Sequence, residues 1–329
     1  MSGVLVTGAT GFIGGHIVRE LLRAGHEVVG VSRYPLRPET RHLLGADVDR
    51  LRLEVLPGDD VDGIRRVCER HRPDAVVHVD AVVDVAGLRT APMRALESNV
   101  LPTLRLLEAA RDTGVRSVVY LSSIAVLPGI RSEPIPVHHP TVTATEGPGG
   151  GFYGASKAAA EVFALEYVAS FGMDVRIVRP SAVYGFGMQW PIGLKPLVEG
   201  GVDGIEVDLG TERLPSRDFT HVADVAGVVA RLLEHPPTPQ RVFYAATGKA
   251  LVSEEQLIAT VRRQLPDLRV RFAPAAEADS AAAASAESAY RGVLDVSALR
   301  DELGYTLRFP DLHDGIAEYI ATYRAFRGA

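Results

Sequence analysis

The stretch VLVTGATGFIG, residues 4–14, decides the fold of this chain. It starts as an apolar run typical of a buried strand, passes three glycines, and continues into Phe12–Arg23, where apolar residues recur at helical spacing. A strand, a glycine turn and a helix in this order indicate a dinucleotide site. Gly8 can form the tight turn, Gly11 lets the backbone approach a pyrophosphate, and Gly14 lets the helix pack closely on the strand. A merely glycine-rich turn is the alternative.

The rest of the first 180 residues alternates short apolar runs with helix-period segments, which is typical of βαβ units around a parallel sheet. Six runs lack polar alternation, as strands covered on both faces do: 4–7, 27–31, 51–56, 75–79, 117–121 and 175–178. We therefore predict an α/β protein with a doubly wound parallel (Rossmann) sheet over 1–180. Residues 181–329 predict a smaller, mainly substrate-binding lobe, with some segments returning to the sheet and helices at 222–234, 253–264, 296–303 and 311–326.

Composition excludes several other classes. The 329 residues carry 35 Lys+Arg against 41 Asp+Glu, a formal charge of −6, which gives no general electrostatic reason to bind nucleic acid or anionic membranes. The one cysteine, Cys68, excludes an intramolecular disulfide framework and a cysteine-cluster metal site, and fits the cytoplasm. His138, His139 and His221 lack metal-ligand spacing, so no metal is expected. The sequence shows no apolar run of the ~18 residues that a membrane helix needs.

Tyr153 and Lys157 are the strongest candidates for chemistry. They are four residues apart, so a helix places them on one face. An ammonium nearby and an oxidised nicotinamide would both favour the phenolate of Tyr153, which could then exchange a proton with a substrate hydroxyl or carbonyl during hydride transfer. Ser122 and Ser123 end the run 117–121, where their hydroxyls would project into a cleft; serines that merely end a strand are the alternative.

Three motifs in order give the chain a family resemblance. TGATGFIG, Tyr153-Gly-Ala-Ser-Lys157 and Arg217-Asp-Phe219 are similar to those of extended short-chain dehydrogenases/reductases, which include nucleotide-sugar epimerases, dehydratases and ketoreductases. The resemblance implies that Lys157 also holds the nicotinamide ribose and that Ser123 hydrogen-bonds the reacting oxygen. The cofactor-binding residues that spacing and resemblance together predict are Gly8, Gly11, Phe12, Ile13, Gly14, Ser32, Arg33, Asp59, Asp60, Ala81, Asn99, Ser122, Tyr153, Lys157, Pro180 and Val183.

Three acidic residues have a functional and a structural interpretation. Asp59 and Asp60 are similar to the family's adenine-contacting turn, although acidic residues in such a turn are also common for structural reasons. Asp80 is unusual where the family has a small residue. It would favour an oxidised nicotinamide if it faced one, and strand alternation could also turn it elsewhere.

The end of the second strand run bears on the choice of cofactor. An NAD-selective site usually has a carboxylate there for the ribose 2′-hydroxyl, whereas this chain has Ser32 and Arg33. A guanidinium beside a hydroxyl suits a 2′-phosphate, so the cofactor is predicted to be NADP(H). The alternative is that Arg33 is a solvated charge and NAD binds.

The substrate is expected to be a nucleotide-activated sugar. Arg217 and Arg291 are candidates to bind its diphosphate, with a structural pair between Arg217 and Asp218 or Asp224 as the alternative. Residues 124–127 lack the Asp-Glu pair that the family's 4,6-dehydratases place after the hydroxyl residue, and Leu127 replaces a frequent tyrosine.

These residues predict a ketoreductase that transfers hydride to or from a carbonyl or alcohol. The alternatives are a nucleotide-sugar 4-epimerase with a retained cofactor and a non-catalytic cofactor sensor. The resemblance also implies a homodimer that packs through the helices of Tyr153 and Asn99.

Overall fold

The computed structural model describes residues 2–57, 60, 62–129, 132–190, 193–210, 214–272 and 292–328. Eleven strands are described within these ranges: β1 (Gly3–Thr7), β2 (Glu27–Ser32), β3 (Leu51–Val55), β4 (Ala75–His78), β5 (Ser117–Leu121), β6 (Asp174–Pro180), β7 (Ala182–Tyr184), β8 (Val207–Asp208), β9 (Phe219–His221), β10 (Val242–Ala245) and β11 (Val270–Arg271). The α-helices described are α1 (Phe12–Arg23), α2 (Pro38–Leu44), α3 (Gly63–His71), α4 (Val85–Thr90), α5 (Met93–Ala95), α6 (Leu101–Thr113), α7 (Gly151–Phe171), α8 (Leu194–Asp203), α9 (Val222–Glu234), α10 (Glu254–Gln264), α11 (Ser297–Asp301) and α12 (Leu312–Arg327).

Seven parallel strands form the central sheet in the order β10-β6-β5-β4-β1-β2-β3. β1 pairs with β2 on one side and with β4 on the other, so Val4 faces Val28 and Ala75. The strand order reverses at β1, and ligands of such sheets bind beyond the carboxyl ends of the strands at this switch point. The predicted doubly wound parallel sheet is confirmed.

Successive residues of β1 supply two different core layers. Val4 and Val6 pack with the buried face of α1 and with α9, whereas Leu5 packs with α3, α6 and α7. This alternation follows from the two-residue period of a strand, and burial of both faces explains why the strand runs lack polar residues. Cys68 is buried in the second layer, and burial raises the pKa of its thiol to about 11.

Residues beyond Pro180 form further structure beside the sheet and also complete it. β7 pairs with β9, β8 pairs with β11, and a separate apolar cluster joins α8, α10 and α12. β10 returns to the central sheet beside β6, which the run of residues 242–245 did not reveal by itself. Among the described residues, no helix is long and apolar enough to cross a membrane.

Candidate active site

The glycine turn between β1 and α1 is tight and leaves no room for a side chain at Gly14. Gly8 has a φ of +66°, and a Cβ added to Gly14 would collide with the carbonyl oxygen of Gly8. The N-cap residue of α1 is Gly11, which has no side chain that could cap the helix. The first backbone N–H groups of the helix, those of Phe12 and Ile13 included, therefore point out without a capping side chain, in the arrangement that binds phosphate. The residues present fit the pyrophosphate of a dinucleotide.

The two residues at the end of β2 have different environments. The buried Ser32 hydroxyl is hydrogen-bonded to the Thr10 hydroxyl at 2.6 Å and accepts from the backbone N–H of Tyr34 at 3.3 Å. The Arg33 guanidinium is partly exposed, and its Nη2 lies 3.3 Å from Oδ1 of Asp80. Ser32 is thus tied into the turn, and Arg33 is the group available to a phosphate.

The acidic turn after β3 is described only in part. Asp59 lies outside the described residues, so its predicted adenine contact has no structural account. The Asp60 carboxylate forms an ion pair with Arg66 in the first turn of α3. The structure thus gives Asp60 a local structural partner.

The long helix α7 brings Tyr153 and Lys157 to the carboxyl edge of β5. Lys157 is 2% exposed, and its Nζ donates to the carbonyl oxygen of Leu121 at 2.7 Å. Burial lowers the pKa of Lys157 to about 8, while the charges of Asp80 and Glu161 act in the opposite direction. The lysine can hold a charge at neutral pH in a site with little water.

Ser123 and Tyr153 face each other in the same place. Burial raises the pKa of the Tyr153 phenol to about 12, and its hydrogen bond with Ser123 lowers that pKa only partly. Oγ of Ser123 also accepts from the backbone N–H of Ala125 at 3.1 Å. The sequence led us to expect a phenol shifted toward phenolate. That expectation included a bound oxidised nicotinamide; in the protein alone the pKa is raised, because desolvation outweighs the hydrogen bond with Ser123.

Several other predicted residues lie at or beyond the ends of strands of the central sheet. The hydroxyl of Ser122 is buried and has no hydrogen-bond partner among the described residues, as expected of a group that awaits a ligand. Ala81 follows β4, Pro180 ends β6, and Val183 lies in β7. These positions are all at or just beyond the carboxyl ends of the strands.

The side-chain amide of Asn99 is engaged by hydrogen bonds within the protein. Its amide oxygen accepts from the backbone N–H of Val82 at 2.8 Å, and its nitrogen donates to the Val82 carbonyl and to Oγ of Ser156. The amide is therefore used to fasten the segment after β4 to α7. Asn99 is a positioning residue in this structure.

Arg217 lines a pocket that reaches the neighbourhood of Ser123. Ile124, Gly292 and Leu294 line the same pocket. Burial lowers the pKa of Arg217, and among the described residues the guanidinium has no ion pair. Arg291 lies outside the described residues.

The predicted alternative partners of Arg217 are engaged elsewhere. Asp218 accepts hydrogen bonds from Thr247 and Gly248, and Asp224 accepts from Tyr305, Arg308 and Phe309. The structural pair considered from sequence is not formed, and Arg217 has no carboxylate partner within the described ranges.

A protein-family model matches most of the chain. The model described as the NAD dependent epimerase/dehydratase family matches residues 4–245, from β1 to the end of β10. The chain belongs to this family. It is an enzyme of the extended short-chain dehydrogenase/reductase type, and the family cofactor is a nicotinamide dinucleotide.

Curated and solved members of the family match from about three quarters of the chain to nearly all of it. A dTDP-glucose 4,6-dehydratase of Streptomyces antibioticus is 32% identical over 98% of this chain and 92% of its own. A dTDP-4-dehydro-6-deoxy-D-allose reductase of Streptomyces sp. is 32% identical over 72% of this chain and 74% of its own. The structure of a Thermus thermophilus UDP-glucose 4-epimerase in complex with NAD is 27% identical and covers 99% of both chains, with a TM-score of 0.76. All three relatives are enzymes, which does not favour a non-catalytic sensor.

The buried ion pair of Glu161 and Arg179 is a feature of this family member that the sequence analysis missed. Arg179 donates to both carboxylate oxygens of Glu161 at 2.9 and 2.6 Å, and the two side chains are 4% and 5% exposed. Arg179 also donates to the carbonyl of Val137. Since Glu161 lies one helical turn after Lys157, the pair holds this part of α7 against β6. The spacing of 18 residues gives no sequence signal for it.

Lys157→Met is expected to raise the free energy of unfolding at pH 7 by about 1–3 kcal/mol while removing turnover, because it deletes a charge from a dry site. The pKa of Lys157 falls from 10.5 to about 8 on folding, so the unfolded chain binds this proton more tightly. Wild-type stability should therefore rise between these pH values, and the advantage of the variant should shrink at pH 10. Urea unfolding at pH 7 and pH 10 measures both effects. A variant less stable than wild type at pH 7 would contradict the burial cost.

Proposed function

We propose that this enzyme is an NADP(H)-linked ketoreductase acting on a nucleotide-activated sugar. The observation that carries the proposal is the convergence of Ser123, Tyr153 and Lys157 beside a glycine turn fit for pyrophosphate. The bound dinucleotide would supply or accept the hydride. The curated relative named as a reductase supports this reaction class.

The chain's own groups suit proton donation to a carbonyl. A phenol whose pKa is about 12 stays protonated at neutral pH, so Tyr153 can give its proton to the oxygen of a keto group as that oxygen gains charge. The Ser123 oxygen accepts from Ala125 and its hydroxyl is hydrogen-bonded to Tyr153, so it can turn its hydrogen from Tyr153 to the same substrate oxygen. Lys157 uses one donor on Leu121, so its other N–H bonds can hold ribose hydroxyls and its charge can stabilise a phenolate after proton transfer.

Dehydration of the 4,6-dehydratase type is less well supported, although one relative carries that activity. Ser123 is followed by the short 3₁₀ helix Ile124–Val126, whose side chains cannot transfer protons. Elimination of water needs one group to take a proton from carbon and another to protonate the leaving hydroxyl. Epimerisation at C4 is the second candidate, since Tyr153 and Ser123 could serve oxidation and re-reduction, and a solved relative is an NAD-containing epimerase.

The test begins with the cofactor that the purified enzyme carries. We expect no tightly retained nucleotide after denaturation and chromatography, a preference for NADPH in titrations of the stripped protein, and NADPH oxidation with keto-sugar nucleotides. Tightly retained NAD(H) together with interconversion of sugar epimers would replace the ketoreductase with the epimerase.

Arg33→Ala is expected to weaken NADPH binding about tenfold without reducing the affinity for NADH, because only NADP(H) has the 2′-phosphate that a guanidinium binds. Fluorescence titration with both cofactors measures the two dissociation constants. Arg52→Ala is the matched control, since Arg52 is an exposed arginine on the neighbouring β3. Equal loss of both cofactors would contradict the assignment of Arg33.

Arg217 and Arg291 are proposed to bind the substrate diphosphate, with residues 181–329 supplying most of the sugar-nucleotide site and residues 1–180 the dinucleotide site. The support is the pocket that Arg217 shares with Ile124, next to Ser123. A fork of N–H donors without a carboxylate partner among the described residues suits a diphosphate. A cytoplasmic location is proposed from the single, buried cysteine.

We propose a homodimer that packs through α7 and the helices beside it. Large apolar side chains are exposed on α7, where Val162 is 63% and Phe163 is 45% exposed. Two more are exposed in and directly after α5, where Met93 is 63% and Leu96 is 42% exposed. Large apolar side chains grouped on adjacent helices mark an association surface. Light scattering should give twice the chain mass for wild type and the chain mass for Val162→Glu, whereas Ile205→Glu, at an exposed apolar site elsewhere, should stay dimeric. A monomeric wild-type protein would contradict the proposal.

A further inference from the structure

The ion pair between Arg33 and Asp80 joins the ends of two strands that are not neighbours. β2 and β4 each pair with β1, so their ends are separated by two strand spacings, roughly 10 Å. Nevertheless Nη2 of Arg33 lies 3.3 Å from Oδ1 of Asp80. The two side chains therefore meet across the end of β1, over the glycine turn.

The backbone of Asp80 lies directly against this turn. A Cβ added to Gly8 would be 3.1 Å from the backbone nitrogen of Asp80, so the two segments are in close contact. The hydroxyl of Thr7 accepts from the same N–H at 3.4 Å and from that of Val79 at 3.2 Å. The position of Asp80 beside the turn is thus fixed by backbone contacts that do not depend on Arg33.

The sequence has no acidic residue at the end of β2, where a carboxylate would bind the ribose of NAD. In sheets of this kind, an acidic residue there accepts a hydrogen bond from the ribose 2′-hydroxyl of NAD, and an arginine there binds the 2′-phosphate of NADP. The folded chain brings a carboxylate to this place from β4, in contact with the arginine that follows β2.

We propose that Asp80 takes the role of the missing ribose carboxylate, so that Asp80 and Arg33 together set the choice between NAD(H) and NADP(H). This rests on the proposed function in one respect, namely that Arg33 is the group that meets the 2′-phosphate. The 2′-phosphate of NADP(H) would bind the Arg33 guanidinium in place of Asp80 and would be repelled by the Asp80 carboxylate. The 2′-hydroxyl of NAD(H) would donate a hydrogen bond to Asp80 and leave the ion pair intact. The pair is 38% and 37% exposed, and exposed pairs are weak, so a phosphate can exchange it at small cost.

Asp80→Asn gives opposite expectations for the two cofactors. We expect NADPH to bind roughly three- to tenfold more tightly, because the competitor of the phosphate is gone, and NADH to bind roughly three- to tenfold more weakly, because an amide is a poorer acceptor than a carboxylate. Fluorescence titrations with each cofactor measure the ratio of the two dissociation constants. The matched control is Asp112→Asn, which removes the same charge from a similarly exposed pair with Arg65, next to the amino end of β5.

The outcomes separate this inference from the proposed function. If both dissociation constants change in the same direction, or neither changes, Asp80 does not select the cofactor and the inference is wrong. If wild type prefers NADH but Asp80→Asn still shifts the ratio toward NADPH, the proposed NADP(H) preference fails and the role of Asp80 stands.

Discussion

Tyr153→Phe is expected to lower kcat by about 10²–10⁴-fold with nearly unchanged affinity for the dinucleotide, because it deletes the one hydroxyl that can protonate the substrate oxygen. The substitution keeps the ring and removes the hydrogen bond with Ser123. Steady-state rates and cofactor titrations separate the two effects.

The matched control for this variant lies on the same helix. Tyr167→Phe removes a hydroxyl that donates to Oε1 of Glu108 at 2.6 Å, away from the carboxyl edge of the sheet. We expect it to retain turnover. Unchanged turnover in Tyr153→Phe would rule out Tyr153 as the acid, and an equal loss in both variants would point to a general defect of α7.

Arg179→Met is expected to have the largest effect on stability, a loss of about 3–5 kcal/mol in the free energy of unfolding, because it leaves the Glu161 carboxylate buried without its partner. Urea unfolding followed by circular dichroism measures it. The double variant Glu161→Met with Arg179→Met should recover most of the loss, since no buried charge remains. If the single variant is as stable as the double variant, the pair is solvated and the argument from burial is wrong.

The sequence predicted the features that depend on local spacing. The glycine turn follows from its glycine spacing, most strands follow from short apolar runs, and the helix carrying Tyr153 and Lys157 follows from a four-residue spacing, and these patterns act within a few positions. The rise in the pKa of Tyr153 within the protein could not be read from the sequence, because it depends on how completely α7 and β5 exclude water, which no spacing expresses.

Features that join distant segments needed the structure. The side chains of Arg33 and Asp80 meet across the end of β1, which separates their strands. Glu161 and Arg179 meet because α7 packs on β6. The amide of Asn99 is hydrogen-bonded to the backbone of Val82, in the segment after β4. Arg33, Asp80 and Asn99 were singled out by their sequence context and Glu161 and Arg179 were not, but in each case the partner depends on how the strands and helices are arranged. Side-chain pairing across a sheet is set by topology and not by the neighbouring sequence.

The late return of β10 to the central sheet affects how the chain emerges from the ribosome. The outer edge of β6 can pair only with Val242–Ala245, and 61 residues separate Pro180 from Val242. At about 5–20 residues per second, translation takes roughly 3–12 s to supply the covering strand. Until then a hydrophobic parallel edge stays open on the nascent chain, where an unpaired strand is a template for aggregation. Expression of this enzyme should accordingly depend on translation speed and on chaperones that shield such edges.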